Sequence, residues 1–121
     1  MINILNELNK IKKHIDDNYD VQSEVRKSYL NEYMLIVAAN KYDIKIQISY
    51  PNLNSYIPND YGLYLGYDAN KKYRSELCYA GGGHMIKYVP NEYSEIDSYL
   101  ENEKFDIKKK AEKQTSIFDF I

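Results

Sequence analysis

Cys78 and His84 stand six residues apart across Gly81-Gly82-Gly83, a spacing at which a tight turn brings a thiolate and a general base together. Such a pair needs an acid to orient its imidazole, and a zinc site needs further ligands. No acid, second histidine or further cysteine is placed to complete either one. Cys78 therefore reads as a small buried hydrophobe in a strand, and the three glycines read as a turn. Ala80-Gly81-Gly82-Gly83-His84 lacks the Lys-Ser/Thr and the following helix of a phosphate loop. Asp43-Ile44-Lys45 carries the Asp-x-Lys of a metal-dependent nuclease at a strand edge. The same tripeptide recurs as Asp106-Ile107-Lys108, and no Pro-Asp pair precedes it. Asp16-Asp17 and Glu101/Glu103 fall on expected helix surface, where carboxylates are usually solvated. No catalytic residue, metal ligand or cofactor follows from these positions.

Composition narrows the remaining classes. With 121 residues the chain fits one domain with a modest core, and its net charge of −2 leaves nucleic-acid binding to a local patch. Arg26, Lys27, Lys71, Lys72 and Arg74 are basic residues that a tyrosine-rich sheet could combine with stacked bases, but the ribonucleoprotein signature is absent. The single cysteine excludes an internal disulfide framework. The first residues lack a charged and apolar leader, and the longest apolar run, residues 33–39, is too short to span a bilayer. A cytoplasmic protein is expected. The 14 tyrosines and the absence of tryptophan fit an AT-rich gene as well as an aromatic binding face.

The elements that must position these residues are legible in part. Ile4, Leu8, Ile11 and Ile15 recur at helical spacing, so residues 3–17 form a helix with Asn3 as its N-cap and His14 on a solvated flank. Residues 20–31 are weakly helical or irregular. From Tyr33 the period becomes two: residues 33–38 and the strictly alternating 44–49 predict a hairpin, with a helix over 29–42 as the competing assignment. The prolines of 51–60 mark a loop. A strand over 61–67 places Tyr61, Leu63, Leu65 and Tyr67 on one face, and Gly62 and Gly66 let something lie close to the other. Strands at 73–79 and 84–89 complete a meander, and Pro90-Asn91 opens a second helix that points Tyr93, Ile96 and Leu100 inward. The expected fold is α+β: an antiparallel sheet of about four to five strands with an N-terminal and a C-terminal helix on one face. Residues 1–103 form that domain, the lysine-rich 104–113 a linker, and 114–121 a tail.

That tail carries the most ordered constellation in the chain. Gln114-Thr115-Ser116-Ile117-Phe118 resembles the bacterial sliding-clamp-binding peptide, which has Gln, a variable residue, Ser or Asp, then Leu and Phe. Gln114, Ser116 and Phe118 match directly, and Ile117 stands where Leu is usual. Gln114, Ile117 and Phe120, with Ile121 in place of the last aromatic, also fit the PCNA-interacting peptide, less well. The resemblance implies a DNA sliding clamp as partner, with Gln114 at the pocket rim, Ile117 and Phe118 inside it, and Phe120 and Ile121 in further apolar contact. Lys108, Lys109 and Lys110 would then make weak, non-specific contacts with the encircled DNA. Two other functions stay open. One is a phage- or plasmid-type inhibitor that binds another protein through the tyrosine-rich sheet, its tail folded on its own core; the other is the nuclease.

Overall fold

The computed structural model describes residues 3–27, 32–49, 61–68 and 81–110. Helix α1 spans Ile4–Asn18 and begins where expected, with the Asn3 side chain accepting a hydrogen bond from the Asn6 backbone N–H at 3.0 Å. Its apolar stripe is the reason it packs: Leu8, Ile11 and Ile15 are wholly buried. The acids at its C-terminal end oppose the helix dipole, but Lys12 and Lys13 pair with Asp16 and Asp17 one turn on, at 2.6 and 2.9 Å.

Strands β1 (Gln22–Lys27), β2 (Tyr33–Ala38), β3 (Asp43–Ser49), β4 (Gly62–Asp68) and β5 (Gly81–Lys87) follow. They lie in the order β1-β2-β3-β4-β5, each antiparallel to its neighbour. The hairpin expected from residues 33–49 forms with Leu35 opposite Ile46 and Val37 opposite Ile44, which excludes the competing helix over its described part. Strand β1 corrects the helical or irregular expectation for 20–31. Its alternation carries only one apolar inward residue, Val25, so local pattern is weak, and six register pairs with β2 decide the conformation.

One face of the sheet is the core. Val25, Leu35, Val37, Ile44, Ile46, Ile48, Leu63, Leu65 and Ile86 meet Leu8, Ile11 and Ile15 of α1 and Ile96 and Leu100 of α2 (Ser94–Leu100). Helix α2 starts later than Pro90-Asn91 predicts, because Asn91 has φ 67°, a left-handed turn conformation that no helix position accepts. The register of β1 with β2 turns Glu24 and Arg26 to the opposite face, together with Met34 and Ile36. Tyr64 and Met85, paired across β4 and β5, share that face.

The glycines also differ from expectation. Gly81-Gly82-Gly83 belong to β5 and do not form a turn. A Cβ on Gly66 would lie 2.6 Å from the Tyr64 hydroxyl, and one on Gly83 would strike the same ring and come within 2.9 Å of the Leu65 carbonyl oxygen. What lies close to these strands is the Tyr64 ring, lying over two side-chain-free positions.

After α2 a short 3₁₀ turn, Glu103–Phe105, drives Phe105 into the core, where it is 1 % exposed. Tyr42, Tyr67 and Tyr99 surround its ring at centroid distances of 5.7, 5.6 and 5.4 Å. Residues 104–110, expected to be linker, are thus held to the body. The Asp20 N–H donates to the Lys108 carbonyl at 2.8 Å and the Lys110 N–H to the Asn18 carbonyl at 3.0 Å. The loop expected at 51–60, the strand at 73–79 and the tail lie outside the described residues.

Candidate functional site

The last turn of α1 and the outer face of α2 build one polar cluster. Helical spacing of four puts His14 and Asn18 on one side of α1, and facing them are Asp97 of α2 and Glu101, the residue that caps its C-terminus. His14 Nε2 and Asp97 Oδ1 are 2.8 Å apart. The Tyr19 hydroxyl donates between two carboxylates, 3.0 Å from Asp97 Oδ1 and 2.7 Å from Glu101 Oε2. Tyr93 stacks on the imidazole with centroids 4.3 Å apart and planes 15° from parallel. Lys109 Nζ completes the group, 3.5 Å from Glu101 Oε2, and its backbone bridges to Tyr19.

The electrostatics follow from this arrangement. Burial, then the bonds to Glu101 and Asp97, push the Tyr19 phenol well above its ordinary range, so it stays a donor. The Tyr19 hydroxyl, with help from Lys109, holds the Glu101 carboxyl below the usual carboxylate range. His14 and Asp97 have the outline of an acid–base dyad. However, Tyr19 occupies the same Asp97 oxygen, Tyr93 covers a ring face, and the other ring nitrogen meets Asn18 Nδ2 at 3.4 Å. The bonds close among themselves, so the cluster acts as a clamp joining α1, α2 and residues 108–110. His14 is therefore a structural contact and not the solvated flank residue that its helical position predicts. Two pairs at i, i+4, one on each helix, were the available signal, but nothing local says that the two faces meet.

The clamp holds residues 108–110 against the end of α1, where Lys108, Lys109 and Lys110 are exposed. Gln114, Ser116, Ile117, Phe118, Phe120 and Ile121 lie outside the described residues, as does Cys78; His84 lies in β5. Asp43 is wholly buried and Lys45 only 7 % exposed, so the Asp-x-Lys of β3 does not present its carboxylate where a hydrated metal and a phosphodiester would meet. Among the described residues no three His, Cys, Asp or Glu side chains are grouped to hold a metal.

The described tyrosines are largely spent internally. Tyr33, Tyr42, Tyr61, Tyr67, Tyr93 and Tyr99 pack against the core, and Tyr88 donates to the buried Glu7 at 2.6 Å. A cavity of about 80 Å³ beside Gln22, Ser23, Glu24, Ile36 and Ala38 is far smaller than the few hundred Å³ of a substrate pocket. No described helix is long and apolar enough to cross a membrane. Comparison with protein-family models, with curated proteins and with solved structures gives no match.

Proposed function

We propose that the chain is a non-enzymatic binding protein that docks on a DNA sliding clamp through residues 114–121, as an accessory or inhibitory factor in replication, repair or mobile-element biology. The observation that carries this is the ordered Gln114-x-Ser116-Ile117-Phe118 set behind a basic segment. The packing of Phe105 and the pairing of Lys108–Lys110 with the end of α1 are consistent with it, because they give the tail a fixed root. Burying Ile117 and Phe118 in an apolar pocket contributes roughly 1.5–3 kcal/mol each, opposed by ordering of the tail, so affinity should be about micromolar.

Binding of full-length protein to a bacterial clamp, measured against a chain ending at residue 113 and against Ile117→Ala/Phe118→Ala, tests the proposal. Both variants should keep the native circular dichroism spectrum and thermal midpoint and lose clamp binding. Undiminished binding, or unfolding of the shortened chain, would sink it.

A further inference from the structure

We propose that β1 is the interface through which two copies of this chain join, antiparallel, into one continuous sheet. This inference does not rest on the clamp reading. Strand β1 ends the sheet order, and among the described residues no strand pairs with its outer edge. Proteins usually blunt such edges with a bulge, a proline or charged side chains. β1 has neither bulge nor proline, since all six residues keep regular register with β2 and the central inward residue is Val25, and its charges, Glu24, Arg26 and Lys27, are of both signs. The register irregularity lies on the far side, between Leu65 and Tyr67 where β4 meets β5.

Symmetry and charge then select the occupant. A closed pair of identical antiparallel edge strands has its two-fold axis perpendicular to the sheet, so one residue of β1 must face its own copy. Centring on Glu24 opposes two carboxylates, and centring on Arg26 opposes two guanidinium groups. Like charges directly across a ladder are destabilising. Centring on Val25 instead places Glu24 opposite Arg26 of the second copy, and Arg26 opposite its Glu24. Both side chains share the face away from the helices, and within one copy they already pair. The same register sets Lys27 of the second copy opposite Ser23, whose hydroxyl donates to Asp16 at 2.7 Å. A basic side chain thus arrives beside a carboxylate. Of these three central registers only the one on Val25 is self-complementary, which favours a second copy over an unrelated strand.

Charge reversal tests this with the full chain. Wild type should show concentration-dependent dimerisation in sedimentation velocity. In the homodimer register Glu24→Arg gathers only arginines at these positions and Arg26→Glu only glutamates, so each variant alone should dimerise at least about tenfold more weakly. Mixing the two variants should restore the dimer as a heterodimer, since every pair across the new ladder is then an arginine facing a glutamate. The double exchange Glu24→Arg/Arg26→Glu should restore the homodimer for the same reason. Circular dichroism confirms that each variant is folded. A wild type that stays monomeric at several hundred micromolar, single variants that dimerise like wild type, or a mixture that fails to associate would each overturn the proposal.

Discussion

Tyr64 shows how one side chain dictates the residue types around it. Its ring needs the space that side chains would fill at Gly66 and Gly83, so a side chain at either position meets the ring although neither has a positive φ. The two sites differ in what must yield. At Gly66 the three nearest atoms all belong to the tyrosine side chain, whereas at Gly83 the Leu65 backbone carbonyl is among them. Gly83→Ala should therefore destabilise by about 1–3 kcal/mol and Gly66→Ala by less. In a Tyr64→Ala background Gly66→Ala should become nearly neutral while Gly83→Ala keeps part of its penalty. A double-mutant cycle in urea unfolding measures both couplings, and additivity at Gly66 would refute the assigned contact.

Among the elements, the segment after α2 behaves least like its composition. Three lysines and a charged flank look like solvated chain, yet Phe105 three residues earlier is in the core and Ile107 packs against it. The aromatic ring around Phe105 joins the β2–β3 connection, β4 and α2 through residues distant in sequence, so its loss should be felt as a core loss. Phe105→Ala is expected to cost about 3–5 kcal/mol, and a chain ending at Glu103 should be destabilised by at least as much. Chemical denaturation of both, beside a chain ending at Lys110, locates the end of the folded body. Equal stability of the chains ending at 103 and 110 would disprove that role.

At the scale of the whole molecule, tyrosine protons tie stability to alkaline pH. Burial raises Tyr19, Tyr88 and Tyr99, with hydrogen bonds to Glu101 and Glu7 adding to the first two. Tyr99 is pushed up to about 12, by burial first and then by Tyr64 and Tyr67. An unfolded tyrosine ionises near 10, so above about pH 10 the unfolded chain binds fewer protons than the native one and stability falls as pH rises. The thermal midpoint should be insensitive to these groups up to about pH 9 and then drop progressively towards about pH 12. In Tyr19→Phe the drop should be shallower, because one of the three groups is gone. A profile unchanged by that substitution would show that Tyr19 does not hold its proton through the clamp.

How much of this was legible depended on the range over which each choice is made. The stripe of α1, the alternation of β3 and the face division of β4 are local periods, so residue order alone was enough for a helix, the run of β2, β3 and β4, and most of the core. The docking proposal for residues 114–121 likewise rests on residue order alone. β1, with a single inward valine, took its conformation from β2, and the glycines of β5 took their role from a tyrosine on β4. His14 found Asp97 across 83 positions of sequence, and Lys109 found Tyr19 and Glu101. These pairings belong to the folded chain because a polar or permissive residue has no preferred environment of its own. Its partner supplies one, and that partner is brought near only when the apolar stripes have already packed.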